Sequence, residues 1–184
     1  MGVRGRRKRE FPDEPTLLKD VQSIIDNAIE KGFLKNYEVD IEQIVRNEGI
    51  ILEKDFEMES SKSGSLSKDK KIGKWVIRVN GKHHIKRQRF TIAHEFAHYC
   101  LHKDEQGSFV DEEIYFRKDH ESSIEYNADV FASEILMPKT LFEKAINEAK
   151  IKKIKELSDI FNVSTMAITI RAEKLGFKTK SHEK

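Results

Sequence analysis

The feature that most constrains the fold is an apolar segment that carries two histidines and a glutamate. The segment runs from about Gln88 to His102 and fits a largely buried helix, because its apolar residues lie on most sides of a helical wheel. The run His94-Glu95-Phe96-Ala97-His98 places two imidazoles on one face of that helix, about one turn apart. Since a buried helix rarely carries such polar residues without a role, we favour a functional site over a surface helix with two solvated histidines.

The H-E-x-x-H spacing is typical of zinc hydrolases. Both imidazoles can reach one zinc ion, and the glutamate after the first histidine, here Glu95, is the usual general base for the attacking water. Catalytic zinc takes three protein ligands and keeps a further position open. The pattern therefore predicts a hydrolase, most simply a peptidase, with a third ligand elsewhere in the chain.

The best candidate for the third ligand lies in segment 123–132, whose apolar residues recur with helical spacing. Glu125 and Asp129 are four residues apart there and so share a helix face. Glu125 offers an oxygen ligand, and Asp129 offers a carboxylate that can accept the free ring N–H of a metal-bound histidine. The alternative is a solvated acidic face. We favour the ligand interpretation because a short connection can join this segment to the H-E-x-x-H helix.

Two stretches resemble the signatures of the ImmA/IrrE zinc metallopeptidases. Arg89-Phe90-Thr91-Ile92-Ala93-His94-Glu95-Phe96-Ala97-His98 is similar to the R-F-T-x-A-H-E-x-x-H motif, with Phe96-Ala97 where the family often has Leu-Gly. Glu125-Tyr126-Asn127-Ala128-Asp129-Val130-Phe131-Ala132, followed by Ile135-Leu136-Met137-Pro138, is similar to the second motif. The resemblance implies an α+β, gluzincin-like fold: a small mixed sheet, the H-E-x-x-H helix, a second ligand-bearing helix and a C-terminal helical pair. By it, His94, His98 and Glu125 bind one zinc ion, Glu95 is the catalytic base, and Asp129 supports the ligands from behind.

The resemblance also implies a function. The expected activity is that of a zinc-dependent endopeptidase that cleaves a helix-turn-helix transcriptional repressor, often encoded nearby on a mobile element or phage. Two other classes stay open: a regulator that binds DNA or a partner and has a structural or idle zinc site, and a toxin–antitoxin component. Glu95 discriminates in part, because a purely structural zinc site does not need a general base.

Composition restricts where such a chain works. Its 184 residues are enough for one domain with a real core. No apolar run approaches bilayer length, and the basic N-terminus lacks the apolar region of a secretory signal. The single cysteine, Cys100, excludes an intrachain disulfide. We therefore expect a cytoplasmic protein that has no membrane contact.

Three regions are predicted along the chain. Residues 1–15 form a disordered basic arm, residues 16–150 the zinc metallopeptidase domain, and residues 151–184 a C-terminal region whose two helices resemble a helix-turn-helix. From Lys150 onward, nine Lys and Arg face four Asp and Glu, so DNA contact is possible. Packing against the peptidase domain is favoured, because the basic excess is modest and only one such unit is visible.

The remaining segments are assigned from their patterns. Helices are predicted at about 16–31, 40–47, 139–150, 152–161 and 164–175, a strand at 75–79, and loops at 60–67 and 106–121, the latter over the cleft. By analogy with gluzincin-like folds, the strand from Lys74 to Val79 is expected to be the sheet edge that pairs with an extended peptide. The other histidines considered, His83, His84, His102 and His120, are not assigned to the metal site.

Overall fold

The structure, a computed structural model, describes residues 17–102, 108–111 and 123–179; for 17–20, 102, 108–111 and 123 it describes the backbone alone. The predicted basic arm and most of segment 106–121 lie outside these residues. The helices and strands, in chain order, are α1 (Leu17–Glu30), β1 (Leu34–Lys35), β2 (Glu38–Val39), α2 (Ile41–Asn47), β3 (Ile51–Asp55), β4 (Gly64–Lys68), β5 (Trp75–Asn80), α3 (Ile85–His102), β6 (Ser108–Asp111), α4 (Ser123–Leu136), α5 (Lys139–Asn147), α6 (Ile154–Ile160) and α7 (Thr165–Lys174). This combination of helices and small sheets confirms the α+β class.

The main sheet has four strands in the order β3-β5-β4-β6. Strand β3 is parallel to β5, whereas β4 is antiparallel to both β5 and β6, so the sheet is mixed as predicted. A tight connection joins β4 to β5: the Asp69 carboxylate accepts the N–H groups of Lys71 and Ile72, and Gly73 has a positive φ of 68°. Strands β1 and β2 form a separate two-stranded sheet.

Helix α3 lies at the centre of the fold, against β4 and β5 on one side and against α4 on another. Ile92, Phe96 and Ala97 of this helix are buried, as the sequence predicts. One hydrophobic core extends from α1 through the sheet to α7, and it includes Val21, Ile77 and, at the far end, Ile168. The central position of α3 explains why its polar residues are also buried.

The C-terminal helices α6 and α7 share this core. Leu157, Phe161 and Ile168 are buried in it, and Phe161 packs on the ring of Phe142 in α5 with centroids 5.5 Å apart. Ser164 caps α7 by accepting the N–H of Ala167, as expected for a serine before a helix. The boundary between a peptidase domain and a C-terminal region at residue 150 stays a prediction. Among the described residues, the two sides of this boundary share one core.

Two expectations about the strands are wrong. The sequence predicts a loop at residues 60–67, but residues 64–68 form β4, which pairs with strands on both sides. It also predicts a sheet edge at Lys74–Val79, but β5 lies between β3 and β4 and both of its edges are occupied. Among the described strands, β3 and β6 are the edges of the main sheet.

Every helix among the described residues is too short or too polar to cross a lipid bilayer.

Candidate metal centre

Polar contacts at its N-terminal end fix the position of helix α3. The carbonyl oxygen of His84 accepts the N–H groups of Arg87 and Gln88, and the Gln88 side chain donates to the carbonyls of Gly81 and His83. Buried Arg89 donates to the carbonyls of Val39 (2.8 Å) and Asn162 (3.1 Å). These bonds attach the helix to β2 and to the α6–α7 turn, so the histidines further along the helix have a fixed support.

Helix α4 brings the two acidic candidates to α3. Its buried residues Ala128, Phe131 and Ala132 pack in the core, which turns the face with Glu125 and Asp129 toward the histidines. The helix ends before Pro138, the N-cap residue of α5, in agreement with the restriction that proline places on the preceding residue. The two motifs, separated in sequence, thus meet in space.

Three potential ligand atoms converge between α3 and α4. The Nε2 atoms of His94 and His98 are 2.9 Å apart, and Glu125 Oε2 lies 3.2 Å from the first and 3.5 Å from the second. Both histidines are buried, whereas the Glu125 side chain is 48% exposed. Among the described residues, these three form the one group of His, Cys, Asp or Glu side chains placed to share a metal ion.

Asp129 lies behind His94. The ring N–H at Nδ1 of His94 donates to Asp129 Oδ1 over 2.9 Å, which leaves Nε2 directed at the other two ligand atoms. Burial disfavours a charged His94, but the hydrogen bonds to Asp129 and Glu125 outweigh it and raise the pKa of His94 to about 10. Hydrogen bonds from His94 and His98 hold the pKa of Glu125 well below its usual range. The cluster therefore favours a positive charge at its centre.

The donor set fits a zinc ion. Two imidazole nitrogens and a carboxylate oxygen are a usual ligand set for catalytic zinc, and bonds of about 2.1 Å in a tetrahedron place the ligand atoms about 3.4 Å from one another. The three distances between 2.9 and 3.5 Å are close to that value. A carboxylate behind a ligand histidine is also the usual support for such a site.

Glu95 directly follows His94 in α3 and therefore lies beside this cluster. It is completely buried, and its charge contributes to the raised pKa of His94. The other face of Glu95 meets strand β4: a Cβ atom built on Gly64 would lie 3.2 Å from Glu95 Oε1. The candidate base therefore lies between the three candidate ligands and the sheet.

Two of the histidines that the sequence analysis left out of the metal site, His83 and His84, have described side chains, and neither belongs to the cluster. His84 is exposed, and His83 Nε2 lies 3.3 Å from the carbonyl oxygen of Ser60, away from the three ligand atoms. The side chains of His102 and His120 lie outside the described residues.

Sequence reasoning misses the contribution of β4. Gly64 belongs to the Ser- and Gly-rich stretch for which a loop is predicted, and its closeness to Glu95 depends on contacts 31 residues apart. The available signal is weak: in Gly64-Ser65-Leu66-Ser67-Lys68 the buried residues alternate, but Leu66 is the one large apolar side chain.

Comparisons with known proteins agree with this arrangement. The model of the IrrE N-terminal-like domain family matches residues 51–173, about two thirds of the chain, including α6 and most of α7. Metallopeptidase ImmA of Bacillus subtilis (strain 168) is 27% identical over 114 residues, which are 62% of this chain and 64% of that protein. This chain thus spans less than two thirds of the length of that relative.

A solved structure gives a likeness of fold. A Mycobacterium tuberculosis transcriptional regulator superposes with a TM-score of 0.56 at 16% identity, over 84% of this chain and 46% of that one. The family match covers both motifs, and the structure brings together the side chains that those motifs contain. The chain therefore belongs to the ImmA/IrrE family of metallopeptidases.

Proposed function

We propose that this protein is a zinc-dependent endopeptidase in which His94, His98 and Glu125 hold one zinc ion. The observation that carries the proposal is the convergence of three potential ligand atoms beside the buried Glu95. Two of these atoms and Glu95 belong to the H-E-x-x-H sequence that is typical of zinc hydrolases. The partial exposure of Glu125 supports it further, because a catalytic site needs an open side for substrate.

In this proposal the five polar residues comprise three zinc ligands, one base and one residue that orients a ligand. Zinc bound here would lower the pKa of a water toward neutrality and polarise a peptide carbonyl. Glu95 takes the proton of the attacking water and passes it to the leaving amine. Asp129 holds the ring of His94 in the orientation that directs Nε2 toward the ligand cluster. The water oxygen forms a bond to the carbonyl carbon, the C–N bond breaks, and the proton taken from water ends on the leaving amine.

The proposed substrate is a helix-turn-helix transcriptional repressor. The family resemblance supports this class, and one relative is named a metallopeptidase while the structural neighbour is named a transcriptional regulator. Strand β6 offers a place for an extended segment of the substrate, because its described backbone pairs with β4 on one side alone. We therefore propose this edge for substrate pairing in place of β5, both of whose edges are occupied.

The decisive experiment is incubation of the purified protein with a repressor encoded beside it. We expect cleavage at one site with zinc and none after chelation, followed by recovery when zinc is restored. The control variant Glu95→Gln should keep its zinc and lose about 10²- to 10⁴-fold in rate, because the base is removed and the ligands remain. Cleavage that persists in chelator, or at the wild-type rate in Glu95→Gln, would contradict the proposal.

A further inference from the structure

Gly64 marks the point where strand β4 comes closest to the active-site helix. It is buried at the start of β4 and pairs with Val79 of β5 on one side and with Asp111 of β6 on the other. Helix α3 lies directly over this part of the sheet. The position is therefore enclosed by two strands and a helix.

No space remains for a side chain at this position. A Cβ atom built on Gly64 would lie 2.5 Å from Thr91 Cγ2, 2.9 Å from the carbonyl oxygen of Arg78 and 3.2 Å from Glu95 Oε1. The first two distances are below any ordinary contact, and the third requires the carboxylate to move by a few tenths of an ångström. A methyl group would thus press on both α3 and the candidate base.

Neither the strand nor the helix can move away easily. Ser63, next to Gly64, accepts a hydrogen bond from the Arg87 guanidinium on its hydroxyl (2.8 Å) and one from the Asn80 N–H on its carbonyl (2.9 Å). On the helix, the Thr91 hydroxyl donates to the Arg87 carbonyl, which holds its methyl group toward Gly64. Because Arg87 joins α3 to the residue before Gly64, the separation between strand and helix is fixed at this point.

We propose that Gly64 is a positioning residue for Glu95. The missing side chain leaves the space in which the Glu95 carboxylate lies, so the backbone of β4 determines where that carboxylate stands relative to His94 and His98. The inference rests on the proposed function for the role of Glu95 as a base. The placement itself rests on the distances around Gly64.

The test compares Gly64→Ala, Thr91→Ser and the double variant Gly64→Ala/Thr91→Ser. Thr91→Ser keeps the hydroxyl and removes Cγ2, the atom that a Cβ at position 64 would meet first. The double variant therefore relieves the contact with Thr91 and keeps the contacts with Glu95 and with the Arg78 carbonyl. Gly81→Ala is the matched control, because its Cβ atom would meet the exposed ring of Phe56 and not α3. Zinc content, unfolding temperature and crystal structures of the zinc-loaded proteins are measured, together with kcat and KM on the cleaved repressor.

We expect the double variant to bind one zinc ion and to unfold at a temperature between those of Gly64→Ala and the wild type, because its contact with the Arg78 carbonyl remains. Its Glu95 carboxylate should be displaced by a few tenths of an ångström or more. Its kcat should fall about 10- to 100-fold with KM within about twofold, since small misplacement of a reacting group is costly. Thr91→Ser and Gly81→Ala should keep the wild-type kcat.

An unmoved carboxylate in the folded double variant, or a kcat that recovers together with stability, would assign Gly64 to packing alone. Failure of both Gly64 variants to fold would do the same. If the wild type cleaves no repressor, the proposed function fails, whereas the crystallographic position of Glu95 still decides whether Gly64 places it.

Discussion

Helix α3 contacts two regions that both contain charged groups, and these groups are arranged differently in the two regions. Toward α4, the ring nitrogens of His94 and His98 and a carboxylate oxygen of Glu125 crowd around one point. Toward α6 and α7, Lys86 donates to Ser158 and Asp159. In the first region three side chains converge on one point, and in the second the Lys86 ammonium is paired with a hydroxyl and a carboxylate of α6.

The second pattern continues at the far end of the C-terminal pair. Arg171 of α7 is buried, donates from Nε to the carbonyl of Met137 (3.0 Å), and forms an ion pair with Glu134 of α4. Met137 belongs to the Leu136-Met137-Pro138 motif, so α7 is attached to the end of α4. The buried charge of Arg171 has a structural role, because the Met137 carbonyl and the Glu134 carboxylate already pair with its guanidinium.

DNA binding by the C-terminal pair would depend on the residues that α7 exposes. In helix-turn-helix proteins the second helix presents its N-terminal residues to the major groove. The most exposed residues of α7 are Thr165, Met166 and Glu173, which offer no positive charge, and Arg171 points inward. DNA contact therefore gains no support from α7, and packing on the peptidase domain accounts for its buried face.

Removal of one converging ligand should have the largest effect. We expect His98→Ala to weaken zinc binding by more than about 100-fold, because a proposed direct ligand is lost. Loss of a residue that only hydrogen-bonds to a ligand costs up to about 100-fold. Elemental analysis after gel filtration measures the zinc content, and His84→Asn, a change at an exposed histidine outside the cluster, is the control. Full zinc occupancy in His98→Ala would show that the converging atoms are not a metal site.

Removal of one member of the paired charges should affect stability and not metal binding. Arg171→Met leaves Glu134, whose side chain is 13% exposed, without its ion-pair partner, and it removes a donor from the Met137 carbonyl. We expect a loss of about 3–5 kcal/mol in the free energy of unfolding. The matched substitution Lys139→Met, at an exposed ion pair, should cost less than about 1 kcal/mol. Urea unfolding measures both values, and a zinc affinity lowered in folded Arg171→Met would mean that the two regions are coupled.

The residue behind the ligands should have an intermediate effect. Asp129→Asn replaces the charged acceptor of the His94 ring N–H by a neutral amide, so the histidine is less firmly oriented. We expect zinc affinity to fall about 10- to 100-fold, while the fold is kept. Competition with a chromophoric chelator measures the affinity, and a change smaller than about twofold would show that Asp129 is not needed for ligand orientation.

The converging region could be predicted from the sequence because its information is local. The four-residue spacings of His94 with His98 and of Glu125 with Asp129 define two helix faces, and ligand chemistry then requires those faces to meet. Helix α3 starts at Ile85, earlier than the sequence predicts. The sequence does not indicate this start, because the residues of the first turn are exposed or half-buried and show no apolar periodicity. Such an error at a helix end leaves the site unchanged.

The parts that could not be predicted depend on pairing between distant segments. Strand β4 has a single large apolar residue, Leu66, and is defined by its neighbours β5 and β6. The central position of β5 follows from those same pairings, which its own residues do not specify. The attachment of Arg171 to Met137 spans 34 residues, and no periodicity within α7 indicates it.

The smallest effect is expected at the exposed edge of the paired region. Asp159→Asn removes the carboxylate that Lys86 contacts at 2.8 Å, but the Asp159 side chain is 57% exposed and Lys86 keeps its bond to Ser158. Because water screens such a pair, we expect no measurable change in unfolding midpoint, zinc affinity or cleavage rate. The three measurements are made beside Asp129→Asn, which carries the same chemical change at the converging region. If Asp159→Asn lowered zinc affinity as Asp129→Asn should, a surface charge on α6 would act on the metal site through α3, and the separation between paired and converging charges would no longer hold.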